Sequence, residues 1–275
     1  MYFFGSKDIK FYVQKWIENR KDFFAGKDVL DLPAGNGVSA RQLHALGANV
    51  VAGDLIPEFF RVPEIKCAYV DLAEKLPYAD QTFAFILCQE GIEHVTDQLR
   101  VLAEFARVLK SQGTLLVTTP NYSNLRARMS YLFNESELMG KIMPPNEVDS
   151  VWFNPDRQNK MYFGHVNLIG IQRLRLFAKL AGLELVKVHA NRVNYTALML
   201  FPLIYPFVCY FSWASYRRMK RKQGADAANQ VREVFTLALS PAILLQNHLV
   251  VEFVKTSEPR AAVGRKTNLA HDFVT

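Results

Sequence analysis

The sequence predicts an α/β protein: a seven-stranded, mostly parallel sheet with helices on both faces, plus a helical apolar insertion before the last strand. Three observations carry that expectation. From Lys27 onward short apolar runs alternate with longer helical patterns, as successive β-α-β units do when both faces of each strand are covered. The first of these runs ends in a loop containing Gly35 and Gly37. Val193 to Tyr216 contains no charged residue, which sets it apart from an ordinary connection between strands.

Composition narrows the class. With 50% hydrophobic and 21% charged residues over 275 positions, the chain can bury a substantial core and is not of the disordered type. The three cysteines, Cys67, Cys88 and Cys209, lie far apart and lack zinc-site spacing, and their odd number argues against a disulfide framework. A reducing, cytoplasmic setting is expected, and Met1 to Lys10 has too little apolar length for a secretory signal.

The strands are expected at Val29 to Leu32, Val50 to Gly53, Ala68 to Val70, Phe83 to Cys88 and Thr114 to Thr118, then Leu183 to Val188 and Leu249 to Val254. Helices fill the gaps, among them Ser39 to Leu46 and Leu99 to Leu109 ahead of the Ser111-Gln112-Gly113 turn, and Leu168 to Ala181 ended by Gly182. Residues 1–26 read as an N-terminal helical segment. The catalytic-type domain takes 27–190 and 246–256, and 121–166 reads as a lid of loops and short helices with Pro144-Pro145 and Pro155. Residues 191–245 form the apolar and basic insertion, and 257–275 a mobile tail.

The run Val29-Leu30-Asp31-Leu32-Pro33-Ala34-Gly35-Asn36-Gly37 is a buried strand passing into a glycine loop. Glycines there are expected to let the backbone approach a ligand closely. Asp54 ends the second strand, where an acid can accept bonds from both ribose hydroxyls, and Asp71 closes the third, where a carboxylate can meet an adenine amine. A dinucleotide-binding domain is the competing reading, since its G-x-G-x-x-G pattern would place Ala40 at the tolerant third position. Asp31 ahead of the loop and the segment after the fourth strand favour a different cofactor.

The spacing of loop, Asp54 and Asp71 resembles the class I S-adenosylmethionine-dependent methyltransferases, and the resemblance covers residues 27 to 190. It implies a Rossmann-like fold with S-adenosylmethionine held by Asp31, Pro33, Ala34, Gly35, Gly37, Asp54, Leu55, Asp71, Leu72, Gln89 and Glu90, Asp31 serving the ammonium group. Pro120-Asn121-Tyr122 also resembles the family, which places this turn at the substrate. Tyr122, Trp152, Phe153, Tyr162 and Phe163 are candidates for an apolar pocket wall.

After the fourth strand comes Gln89-Glu90-Gly91-Ile92-Glu93-His94. A helical turn starting at Glu90 would set Glu90, Glu93 and His94 on one face, a plausible donor set for Mg²⁺ or Mn²⁺ that also admits zinc or iron. This Glu-x-x-Glu-His element resembles two metal-dependent branches of the family: the O-methyltransferases of ubiquinone synthesis, and enzymes that methylate the 2′-hydroxyl of small-RNA ends. The resemblance implies a further histidine after the fifth strand, where His165 stands. A metal would stabilise an alkoxide or phenolate at neutral pH, and His94 or His165, if not a ligand, could act as general base.

The net charge is +7, and Arg217, Arg218, Lys220, Arg221 and Lys222 form a dense cluster directly after the uncharged stretch. That arrangement points to a membrane surface rather than nucleic acid, with Tyr205, Tyr210, Trp213 and Tyr216 at the interface. Pro202 and Pro206 disfavour one straight helix, so a helical pair lying in one leaflet is expected, with packing on the domain or across a dimer as the alternative. The functional expectation is O-methylation of an adjacent hydroxyl pair on an amphiphilic acceptor, a quinone precursor, glycolipid or lipid-linked glycan, at the inner face of the cytoplasmic membrane. A non-catalytic S-adenosylmethionine-binding membrane protein and an RNA methyltransferase are the alternatives.

Overall fold

A computed structural model describes residues 8–138, 140–154, 160–222 and 228–256. The tail 257–275 and Pro155 lie outside the described residues. The first helices, α1 (Ile9–Glu18) and α2 (Lys21–Phe24), precede a regular alternation: β1 (Asp28–Asp31), α3 (Val38–Ala45), β2 (Asn49–Asp54), β3 (Cys67–Tyr69), β4 (Phe83–Gln89), α4 (Gln98–Val108) and β5 (Leu109–Pro120). The lid contains α5 (Leu125–Asn134) and a hairpin of β6 (Val151–Asn154) and β7 (Lys160–Phe163). Then follow α6 (Ile171–Leu180), β8 (Leu183–Val188), α7 (Tyr195–Lys222), α8 (Ala228–Leu239), α9 (Pro241–Leu245) and β9 (His248–Lys255).

Seven strands form one sheet in the order β3-β2-β1-β4-β5-β9-β8. Only β9 runs against its neighbours β5 and β8; the other pairings are parallel. Period-two alternation splits the core. Leu30, Ile86, Cys88, Leu115, Val117, Val251 and Phe253 pack under α4, α6 and α9, whereas Val29, Phe85, Leu87, Leu116 and Val250 meet α1 and α3. The reversal between β1 and β2 on one side and β4 on the other opens a crevice at the strand ends, where such sheets bind ligands.

Three differences from the expectation have physical causes. The Ser111-Gln112-Gly113 turn is absorbed into β5 as an irregularity, Gln112 taking φ 60°, so the strand starts directly at Leu109. The lid, expected as loops and short helices, holds the β6–β7 hairpin, whose Trp152, Phe153, Tyr162 and Phe163 are strand-favouring residues. Pro202 and Pro206 do not divide the apolar stretch: α7 runs unbroken for 28 residues. Each proline removes one backbone hydrogen bond, and both sit on the helix's exposed side, so packing along the opposite flank keeps the helix whole.

Candidate active site

Asp31 ends β1 and is buried, with the Ala40 amide donating to its carboxylate and Oδ2 left without a partner among the described residues. Burial pushes its pKa up to about 8, with Asp54 adding to the rise. An unsatisfied buried carboxylate oxygen in a ligand crevice is a place for a cationic group. It opens on a cavity of about 250 Å³ lined by Asp31, Gly35, Ser39, Asp54, Gln89 and Glu90.

The two glycines do different work. At Gly35, φ is 52° and a Cβ would meet nothing within 4 Å, so the backbone faces open cavity. Gly37 was expected to give a ligand close approach, but a Cβ there would strike Val62 at 2.5 Å and Phe60 at 2.7 Å. That residue, at φ 84°, lets the first turn of α3 pack under the segment after β2.

Asp54 spans the loop, its Oδ2 accepting from the Gly35 amide and its Oδ1 from the Ile56 amide, each at 2.8 Å. A second cavity, of about 590 Å³, continues past Asp54 along Leu55, Asp71 and Leu72, then Glu90 and His94. Both cavities are lined by Pro33, Asp54 and Glu90, so together they make one cleft long enough for a nucleoside with an amino-acid side arm. Trp152, Phe153, Tyr162 and Phe163 cover this second cavity, over the nucleoside part of the cleft, while Tyr122 and again Trp152 line a cavity of about 1050 Å³ under the lid.

Between the cleft and the lid cavity stand Glu93, His94 and His165, whose ligand-type atoms lie within 4.8 Å of one another. His94 Nδ1 is 2.8 Å from the carbonyl of Phe163, which can only accept, so Nδ1 carries the proton and Nε2 keeps its lone pair. His165 Nδ1 lies 3.0 Å from Glu137 Oε2, and this contact holds the imidazole above the ordinary histidine range against the effect of burial. Thr119 donates to Glu93 Oε2 at 3.0 Å, while Oε1 is buried with no partner among the described residues. Burial raises the Glu93 carboxyl too.

Glu90 does not join this cluster. The helical turn expected from Glu90 begins only at Ile92, because Glu90 takes φ 50° and Gly91 packs so tightly on Pro33 that a Cβ would come within 2.5 Å of its ring. Thr118 Oγ1 donates to Glu90 Oε1 at 2.8 Å, and Oε2 faces His248 Nε2 at 3.5 Å. Burial, then the neighbouring Glu93, pushes Glu90 up to about 8. The sequence reading missed His248, Glu137 and Arg126. Burial lowers the pKa of His248 and of Arg126, whose Nε is buried without a partner among the described residues, and both sense the charge of Glu137. His248 opens a strand more than 150 positions after Glu90, so no local spacing could have signalled it.

A sheet of this order with a nucleoside-sized cleft at its strand ends defines a nucleotide-cofactor domain. Residues 30–117 match the family model described as "Methyltransferase domain". Over 116 residues the chain is 36% identical to the ubiquinone biosynthesis O-methyltransferase of Xanthomonas oryzae pv. oryzae (strain PXO99A), covering 38% of this chain and 48% of that one. It is 35% identical over 106 residues to the demethylmenaquinone methyltransferase of Corynebacterium urealyticum, covering 38% and 46%. The chain thus spans about half the length of these curated relatives. The YcgJ protein of Bacillus subtilis shares the fold at a TM-score of 0.52 and 14% identity, covering 90% of this chain and 99% of that one. The chain carries a class I S-adenosylmethionine-dependent methyltransferase domain, and the dinucleotide alternative falls away.

One consequence for cofactor binding follows from Asp31. Its carboxyl holds a proton below about pH 8, yet pairing with an ammonium requires the carboxylate. Binding of S-adenosylmethionine should therefore release a proton, and Kd should fall by up to about tenfold per pH unit between pH 6 and 7.5, flattening as the ligand's own α-amino group deprotonates. Calorimetry in buffers of different ionisation enthalpy measures that proton, and a pH-independent Kd would contradict the pairing.

Proposed function

We propose that this chain methylates one hydroxyl of an adjacent pair, a catechol or vicinal diol, on an amphiphilic acceptor, assisted by a divalent ion held by Glu93, His94 and His165. The observation that carries the reading is the position of that triad between the cofactor cleft and the lid cavity. The unpartnered Glu93 Oε1 and the two Nε2 lone pairs, each fixed by a contact at the other ring nitrogen, fit a cation. Two imidazoles with a single carboxylate favour a first-row transition ion such as Zn²⁺, Fe²⁺ or Mn²⁺ over Mg²⁺. When bound, such an ion lowers the pKa of a coordinated hydroxyl. S-adenosylmethionine supplies an electrophilic methyl group on a sulfonium.

The protein's own groups do the rest. Asp31 holds the cofactor's ammonium end and Asp54 its ribose, and the β6–β7 hairpin keeps water from the cleft. With His94 and His165 engaged, the proton-accepting role falls to Glu90, which lines both parts of the cleft and whose carboxyl is pushed up to about 8 by burial and by Glu93. The names of the relatives, one acting in ubiquinone biosynthesis and one on demethylmenaquinone, support a lipid-soluble acceptor. Such an acceptor fits a chain working at the inner face of the cytoplasmic membrane.

The test is incubation with a lipid extract and methyl-labelled cofactor, with and without chelator, followed by mass analysis of the labelled product. Label in an O-methylated lipid that falls at least tenfold in chelator is the expected result. Full incorporation in chelator by a Glu93→Gln variant would remove the metal, and label confined to RNA would replace the acceptor.

A further inference from the structure

We infer that the outward flank of α7 lies in the plane of an anionic bilayer, sunk into one leaflet, and presents the lid cavity to lipid-borne substrate; this deepens the function proposed above and rests on it for the acceptor. At 1.5 Å per residue the 28-residue helix is about 42 Å long. Its two flanks differ. Ala197, Leu200, Phe201, Ile204, Tyr205 and Val208 pack with Leu125 of α5 and with Leu244 and Leu245 of α9. Farther along, Tyr216 stacks on Phe235 of α8 at 4.8 Å. On the opposite side Leu198, Met199, Leu203, Phe207, Tyr210 and Phe211 recur at helical spacing and are 47% to 80% exposed.

Composition alone would let α7 cross a membrane, since its most apolar stretch has a mean hydropathy of 1.6 and is only 6% buried. The packing argues otherwise. One flank is fastened along the methyltransferase domain, so only the other can enter lipid. Pro202 and Pro206 free the carbonyls of Leu198 and Pro202 from helix bonding, a cost that head-group water meets and the hydrocarbon centre does not.

Charge selects the kind of surface. The helix contains no acidic residue and ends in Arg217, Arg218, Lys220, Arg221 and Lys222, all exposed, with the Arg217 guanidinium 4.9 Å from the Trp213 ring centroid. An apolar flank next to a basic cluster, with tyrosine and tryptophan at the junction, suits a leaflet of anionic lipid. Beside α7 packs α5, which exposes Leu132 and Phe133 and sets Tyr131 on the wall of the lid cavity. The exposed Met143 lines that same cavity. A bilayer against the outward flank of α7 thus lies one helix, about 10 Å across, from α5, which carries the Tyr131 wall of the acceptor cavity.

The experiment is vesicle co-sedimentation of the full chain at 0.1 M salt, with S-adenosylhomocysteine affinity measured on the same samples. Wild type should pellet with phosphatidylglycerol vesicles, at least tenfold more weakly with phosphatidylcholine alone, and should be released by alkaline carbonate. The pair Leu203→Glu and Phe207→Glu, and separately Arg217→Ser with Arg218→Ser, should each lose at least tenfold in vesicle binding while keeping nucleoside affinity, which also shows that the variants fold. Wild type that binds nucleoside but not anionic vesicles overturns the inference and leaves the function reading standing. Retention after carbonate overturns the in-plane placement in favour of a span, and a dimer in vesicle-free buffer that the glutamate pair dissolves, with no vesicle binding, assigns the flank to a second copy. Loss of nucleoside binding by wild type would instead sink the methyltransferase reading itself.

Discussion

Changing Asp54 to alanine is expected to weaken S-adenosylhomocysteine binding by about a hundredfold or more, as read by calorimetry. The loss has two parts. A carboxylate facing a ribose diol contributes hydrogen bonds of about 1.5–3 kcal/mol each, and removing it leaves the hydroxyls facing apolar wall. Asp54 also ties the Gly35 amide to Ile56, so the glycine loop loses its brace. Asn in its place keeps acceptor geometry at one oxygen and should cost about tenfold, since the charge assistance is gone. An alanine variant that binds within threefold of wild type would mean the ribose lies elsewhere.

Metal binding should separate Glu93 from Glu90. Equilibrium dialysis with Zn²⁺ or Mn²⁺ is expected to find one site, weakened at least tenfold to a hundredfold by Glu93→Gln, His94→Ala or His165→Ala. Glu137→Gln should cause a smaller loss through the orientation of His165. Glu90→Gln should change affinity by less than about threefold, because its carboxylate turns to Thr118 and His248. Equal losses for Glu90→Gln and Glu93→Gln would restore the single-faced turn that the sequence suggested. No binding by the wild-type protein would leave Glu93 a structural acid.

The difference between those two glutamates marks where sequence reasoning stopped. Spacing of three and four residues places side chains together only if the helix is continuous. Here the backbone must pass Pro33 with no room for a side chain at Gly91, and Thr118 from the neighbouring strand captures Glu90. Neither constraint is local. Gly37 shows the same limit, since a glycine needed for packing reads identically to one needed for ligand approach.

The central strands were legible because β1, β4 and the second half of β5 are buried on both faces, so nearly every residue in them had to be apolar, and Asp31 and Asp54 stood out at the ends of β1 and β2 as the exceptions. The charge pattern of α7 was equally plain, being written in consecutive residues. Composition and periodicity therefore determined the fold class and the unusual chemistry of the insertion, and the spacing of the glycine loop, Asp54 and Asp71, through the family resemblance it carries, pointed to the cofactor; all are properties of local pattern and spacing along the chain. Only the tertiary structure decided which side chains meet across the sheet: Glu93 with His165, Glu90 with His248, and the inner flank of α7 with α5 and α9. Those contacts join residues tens to more than a hundred positions apart, and such pairings are set by how packed layers close on one another, which no local pattern encodes.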